Sequence, residues 1–514
     1  MKKQNRTIYR SLLILSFIMV NGLILFGISQ TLSFLNTGAD RSTMLHIGLK
    51  NKQAYIPKVV WKDTTNPGRS IEKQTMSNIQ KDYVNSWYVR NVAYSSYDSL
   101  GIFDFYTQSA RQNILKTLQF NKENDVQIVS TTLDHNLFLD FYSADGQLVV
   151  FEDRNVKMYS QVFNENELQF ETTDLANYKI AMLLEDGFWR VRHLVKQFYK
   201  QQDTVQTKKT SYVQGKKILV DNQPYPIKGI NYYPQKSPWN MFGEGFDESI
   251  IKEDFDIVKK AGLNTIRIFI QYEDFGKEVV KKSKIEKLQT VMNLAEDAKL
   301  KVIVTLFDFY GDYAIQDWTF THRHAEQIVS AIKNHDALLA WDIKNEPNLD
   351  FESRGKENVM AWLKEMIAQV KSYDPDHLVT IGWSDIESAT LLQEKVDMVS
   401  FHYYQDINDF SEAFIVLNTQ VNKPLVLQEF GLSSNRGFWA PFGASEKKQA
   451  KYHKQFQEIF KNQNINYLSW TLYDFEEVPG TVVGNLPWVK HKQKYFGFID
   501  RGGNKKPAFE FIGN

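Results

Sequence analysis

From Val213 onward, short apolar runs alternate with stretches of helical periodicity, and no other feature of the chain restricts the fold so tightly. The runs are Ile227 to Tyr232, Thr265 to Phe269, Lys301 to Phe307, Leu338 to Lys344, Val379 to Gly382, Met398 to Phe401, Pro424 to Leu427 and Tyr467 to Trp470. Between them, Leu288, Val291, Met292 and Ala295 share one helical face, as do Val359, Trp362, Leu363, Met366 and Val370. Runs this apolar read as buried strands. Eight strand–helix units over residues 213–514 predict an α/β fold, a (β/α)8 barrel. A doubly wound open sheet would require a glycine-rich phosphate turn after the first strand, and none is present.

The N-terminal third reads differently. Lys2, Lys3, Arg6 and Arg10 mark residues 1–10 as a basic tail, and residues 11–35 contain no charge. Spanning a bilayer takes roughly 20 residues, so the stretch predicts a transmembrane anchor, longer than the h-region of a cleaved signal peptide. The basic flank predicts a cytoplasmic N-terminus and an extracytoplasmic remainder at the cell membrane. Residues 36–72 are expected as a juxtamembrane linker, and the polar, aperiodic 201–212 as a second linker. Residues 73–200 predict a small α+β domain, helical first and then alternating, with turn signals at Ala144-Asp145-Gly146-Gln147 and Glu185-Asp186-Gly187. Helices followed by a meander that ends in Gly187-Phe188-Trp189-Arg190-Val191 resemble the nuclear-transport-factor-like cone. That resemblance brings no catalytic motif with it.

Lys+Arg and Asp+Glu both number 61, so net charge steers the chain toward no nucleic acid. The absence of cysteine excludes disulfides, thiolate metal sites and cysteine nucleophiles. No His/Asp cluster has metal-ligand spacing, and neither metal nor cofactor is expected. His322, Arg323 and His324 read as the solvated start of a helix.

In a barrel the reactive groups gather where strands finish. Standing there are Asn231, Arg267, Asp308, Asn345-Glu346, Trp383, His402-Tyr403-Tyr404, Glu429 and Trp470. Two facing carboxylates are the minimal equipment for cleaving a glycosidic bond. A cation such as Arg267 and a donor such as Tyr404 would hold one of them ionised. Asn345 can donate to a sugar hydroxyl, and Trp470 offers a flat floor for a ring. Asp308 and Asp312 occupy the same rim and compete with this assignment.

Arg267, Asn345-Glu346-Pro347, His402-Tyr403-Tyr404, Glu429 and Trp470, in that order, resemble the clan A retaining glycoside hydrolases, with the family-five cellulase and mannanase group nearest. The ending Phe496-Gly497-Phe498-Ile499-Asp500 is similar to how such barrels close. The resemblance implies Glu346 as acid/base and Glu429 as nucleophile, with Arg267 and Tyr404 positioning the nucleophile. It further implies that Asn345 contacts the 2-hydroxyl and that His402 and Trp470 line the subsite, and we add Asn231 and Trp383 as substrate contacts. One departure is Phe307-Asp308-Phe309, where many family-five enzymes carry a histidine. The expected function is retaining hydrolysis of a β-linked glucan, mannan or related exopolysaccharide. The alternatives are a transglycosylase on the same site or a catalytically silent polysaccharide-binding or assembly module.

Overall fold

The computed structural model describes residues 14–28, 55–66, 69–197, 211–437, 440–484 and 486–513. Residues 14–28 form a helix whose side chains are all exposed. The rest of the expected anchor, most of both expected linkers and the cytoplasmic tail lie outside the described residues. No described helix is long and apolar enough to cross a membrane.

The N-terminal α+β unit is built on one sheet. Its strands are β1 (Lys58–Asp63), β2 (Val126–Thr132), β3 (Asp134–Tyr142), β4 (Leu148–Asn164), β5 (Glu167–Glu185) and β6 (Phe188–Gln197). The order is β1-β3-β4-β5-β6, with β2 also on β4. β1 comes from the stretch expected as a juxtamembrane linker and pairs in parallel with β3. Helices Lys73–Ser96 and Gln108–Glu123 contribute Tyr83, Trp87, Ile114 and Leu118 to a core shared with Phe151, Tyr178 and Ile180 of the sheet. These rings fill the sheet's concave side. Within them His135 Nδ1 faces Asp153 Oδ2 at 2.5 Å, and the Tyr83 hydroxyl donates to the same carboxylate.

A three-stranded sheet follows: β7 (Ser211–Gln214), β8 (Lys217–Val220) and β9 (Gln223–Pro224). Gly215 sits at φ 58° in the β7–β8 turn, where an L side chain is strained. Ile218 and Val220 of β8 pack with Ile303, Leu378, Met398, Val426 and Leu468, which closes the bottom of the barrel with an apolar plug.

The barrel is closed and wholly parallel. It runs through β10 (Lys228–Asn231), β11 (Thr265–Gln271), β12 (Lys301–Asp308), β13 (Leu338–Asn345), β14 (Leu378–Trp383), β15 (Val399–Tyr403), β16 (Leu425–Phe430) and β17 (Asn466–Ser469). β17 pairs back onto β10. Strands covered on both faces bury nearly every residue, which is why the sequence shows continuous apolar runs here and not alternation.

The N-terminal unit docks on the barrel's outer helices. Tyr159 of β4 packs 4.5 Å from Trp318, Lys157 bridges Glu365 at 2.6 Å, and Ile56 N donates to Thr319 Oγ1. His322 and His324 are buried, not solvated: His322 lies 4.0 Å from Asp134 of β3, and His324 packs on Tyr272 and Phe307 of the barrel itself. His324 Nδ1 is 2.8 Å from the Lys277 carbonyl oxygen, and His322 meets the Tyr373 hydroxyl.

Candidate active site

The site is organised around a buried cation. Arg267 is third in β11 and points into the barrel with no exposure. Nε reaches Thr305 Oγ1 at 3.0 Å and Asp342 Oδ2 at 3.1 Å. Nη1 donates to Asn231 Oδ1 and, at 2.6 Å, to Glu429 Oε1. Nη2 donates to Asp342 Oδ2 at 2.7 Å and to Asn345 Oδ1 at 2.9 Å. Every N–H of the fork therefore has an acceptor. Burial alone would lower the Arg267 pKa, but the Asp342 and Glu429 carboxylates outweigh it and hold the group above its ordinary value.

The surrounding strands fix this arrangement. Asp342 is itself held by the Thr305 hydroxyl at 2.7 Å and by the Gly382 N–H at 2.9 Å. Gly382 leaves no room for a side chain, since a Cβ there would meet Gln428 Oε1 at 2.5 Å and Arg267 Nη2 at 3.0 Å. Asn231 donates to the Gln428 and Ser469 carbonyls and turns its oxygen to Arg267.

Above the cation stand the two glutamates. Glu429 is fifth in β16 and nearly buried; the Tyr404 hydroxyl donates to its Oε2 at 3.1 Å. Tyr404 shows 43% of its surface to the cleft, but its hydroxyl lies at the floor. Burial, then the Glu429 and Glu346 carboxylates, push its pKa well up, so it stays a protonated donor. Glu346 follows β13 at φ 50°, a left-handed conformation that an L residue adopts at some cost, and its N–H is tied to the Gly382 carbonyl. Phe309 and Trp239, both at φ 58°, also line the cleft. Left-handed backbone at three cleft residues other than glycine marks strain gathered at one site. His402 lies between the acids, with Nδ1 3.0 Å from Glu346 Oε1 and Nε2 3.6 Å from Glu429 Oε1.

One carboxylate oxygen of each glutamate and a nitrogen of His402 all lie within 4.8 Å of one another. No local spacing in the sequence could show this cluster, because its members come from three strands. It has the makings of a cation site, but the Arg267 guanidinium already supplies the positive charge beside Glu429 and opposes a second one.

A cleft of about 610 Å³ opens over these groups. Glu346, Glu429, Asn345, Tyr404 and Trp470 line it. Trp470 is backed by Trp239 and Phe269, with ring centroids 6.1 Å away in both cases. Arg267, Asn231 and His402 are buried beneath the lining and act on it from below. Trp383 departs from expectation. It ends β14 but is buried, with its ring 6.3 Å from that of Phe351 in the helix after β13, and it does not line the cleft. Asp308 and Asp312 share the rim but stay out of the cleft lining. Asp308 accepts from Tyr233 at 3.4 Å. The lining residues Leu349, Val482, Val489 and Phe496 come from loops after β13 and β17, where the sequence shows no periodicity to follow.

Fold and rim together define a class, a glycoside hydrolase barrel. Residues 221–476, the barrel, match the family described as cellulase (glycosyl hydrolase family 5). The chain is 25% identical over 305 residues to β-glucuronidase of Chlorocebus aethiops, covering 56% of this chain and 44% of that protein. Over 308 residues it is also 25% identical to human β-glucuronidase, with the same coverage. The chain thus matches less than half the length of these curated relatives. Among solved structures, the exo-β-1,4-mannosidase of Opitutaceae bacterium strain TAV5 superposes with a TM-score of 0.47 at 18% identity, covering 56% of this chain and 59% of that one.

Proposed function

We propose that the barrel hydrolyses a β-linked oligosaccharide or polysaccharide with retention of configuration, by double displacement on two glutamates. The observation that carries this is the approach of the Glu346 and Glu429 carboxylate oxygens to within 4.8 Å. Retaining enzymes hold their carboxyl groups about 5–5.5 Å apart, and inverting ones leave roughly 6.5–9.5 Å for a water.

Glu429 is the nucleophile. Arg267 and Tyr404 each donate to one of its oxygens, which fixes the carboxylate in place and aims it. Glu346 is the acid/base. It meets His402, which carries a proton or accepts one according to its tautomer. Asn345 lines the cleft with its oxygen held by Arg267, which fixes the side chain beside the two glutamates. Among the described residues Trp470 Nε1 and His402 Nε2 are buried without a hydrogen-bond partner, a condition that a bound sugar's oxygens would relieve.

Glu429→Ala is expected to abolish turnover, and a mechanism-based fluoro-sugar is expected to label the peptide that contains Glu429. Undiminished hydrolysis by the variant, or glycan binding with no labelling, would overturn the reading in favour of a silent binding module. Glu346→Gln is expected to slow substrates with poor leaving groups by roughly 10²–10⁴-fold and activated aryl glycosides far less. Equal losses on both would sink the acid role.

We extend the reading to location. The helix 14–28 presents Ile14, Phe17, Leu23, Leu25 and Phe26 to the outside, each more than 60% exposed, which suits a lipid surround. Its 15 residues span about 22 Å, so the rest of the uncharged stretch 11–35 is needed to cross a core of about 30 Å. A barrel retained in the membrane fraction after alkaline extraction, with residue 1 still attached, supports the anchor; release into the supernatant removes it. The nuclear-transport-factor-like resemblance of the N-terminal unit suggests a spacer or docking role, since its concave side is filled by its own rings.

A further inference from the structure

Two cations line the cleft that the double displacement described above does not use. Arg354 ends the helix Phe351–Arg354 after β13, and Lys492 lies on the helix Pro487–Gln493 after β17. Both line the cleft. β13 and β17 are four strands apart in a barrel of eight, so the two cations are carried by segments that leave opposite sides of the barrel. Among the described residues neither forms an ion pair, although the cleft's acidic groups are otherwise engaged. Glu429 is held by Arg267 at 2.6 Å. Asp350 has Lys344 at 3.4 Å and the Tyr313 hydroxyl. Glu346 has His402 at 3.0 Å.

Arg354 shows the stronger sign. Its Nη2 is shielded from solvent and has no acceptor among the described residues. A guanidinium nitrogen removed from water without a partner is unfavourable, and a ligand oxygen would relieve it. Its planar fork matches a carboxylate in two parallel hydrogen bonds.

We propose that the cleft selects an acidic glycan, a β-linked chain whose sugars bear carboxylates, with Arg354 and Lys492 contacting the carboxylates. This rests on the hydrolase reading above and adds the substrate's charge class to it. Both residues lie in loops that the strand rhythm does not constrain, so this selection is specific to this chain's cleft and separate from the shared chemistry at the strand ends.

The test uses the full-length chain and matched pairs of β-linked glucan and mannan oligosaccharides, one member neutral and the other oxidised at C6 to the carboxylate. The acidic member is expected to show a kcat/KM about tenfold or more above its neutral partner at low salt. That advantage should shrink at about 0.5 M salt, as screening removes the attraction. The double variant R354Q/K492Q is expected to lower the acidic-to-neutral ratio by about tenfold. A ratio at or below one in the wild type, or one unchanged in the double variant, overturns the proposal. If neither member of any pair is cleaved, that failure belongs to the hydrolase reading. Calorimetric binding of the same pairs then decides acid selection by the same two ratios.

Discussion

At the scale of single residues, the site depends on one acceptor arrangement that tolerates no substitution. Asp342 Oδ2 takes hydrogen bonds from Arg267 Nε, Arg267 Nη2 and Thr305, and Oδ1 takes one from the Gly382 N–H. Both oxygens face donors only. Asparagine has one oxygen and one NH2, so in either orientation an NH2 group would confront a donor inside a dry barrel. Asp342→Asn is therefore expected to destabilise the barrel by about 3–5 kcal/mol, as removal of one partner from a buried ion pair does. It should also lower kcat more than it changes KM, because Arg267 aims Glu429 and Asp342 aims Arg267. Thr305→Val removes one donor and one acceptor from the same network and should cost about 1–3 kcal/mol. Urea unfolding with parallel kinetics checks both. An Asp342→Asn enzyme with wild-type stability and kcat would show that Arg267 holds its geometry without it. Of this network the sequence shows Arg267, Asn345 and the glutamates, because they sit at strand ends beside recognisable neighbours. Thr305 and Gly382 give no such signal, since an inward threonine or glycine in a strand looks like any other.

At the scale of elements, legibility follows periodicity. The barrel strands are readable because burial on both faces forces apolar runs, and the helices because one stripe must face the sheet. β1 was not readable as part of a sheet, since its pairing with β3 is parallel and some 76 residues distant (134 − 58). The burial of His322 and His324 is hidden for the same reason, because what covers them is distant in sequence: Asp134 and Tyr373 at His322, and Tyr272 and Phe307 at His324. Trp383 misleads because the strand's end was legible but not which way its last side chain turns. Helix Glu446–Gln463 offers an element-scale test. It buries His453 against Phe430, Tyr452 and Phe498, with neither ring nitrogen partnered. Burial, aided by Lys506, pulls its pKa from 6.5 down to about 3. A folded-state pKa below the unfolded one means that stability is complete above pH 6.5 and is lost as pH falls toward 3. By pH 5 the loss from this group alone is about 2 kcal/mol. His453→Phe removes the titration while keeping an aromatic ring. The stability difference between variant and wild type should therefore favour the variant by about 2 kcal/mol more at pH 5 than at pH 8. Denaturant titrations at the two pH values decide it, and a difference that does not change with pH refutes the assignment.

At the scale of the whole molecule, the question is whether the two units behave as one. Their contact combines an aromatic pair, Tyr159 on Trp318, with the Lys157–Glu365 bridge, the Lys364–Glu171 bridge at 3.1 Å and the Ile56–Thr319 hydrogen bond. Tyr159 is buried within the barrel's own core cluster, so it belongs energetically to the barrel although its strand belongs to the other unit. Glu365 is nearly buried and also accepts from Gln369, which gives the Lys157 bridge more weight than an exposed pair carries. The contact reaches the cleft through one segment: Trp318 opens the helix that follows the loop from Phe309, and Phe309 lines the cleft. Loosening the interface is therefore expected to act on both folding and catalysis. The wild type should unfold in one calorimetric transition. Replacing Tyr159 and Lys157 together by alanine removes a buried ring, worth about 3–5 kcal/mol, and strands Glu365. The variant should then unfold in two transitions, the N-terminal unit melting first, and KM should rise while the fluoro-sugar still labels Glu429, since the strand-end chemistry is untouched. A single transition in the variant with unchanged KM would show that the N-terminal unit is only carried by the barrel and does not shape its cleft.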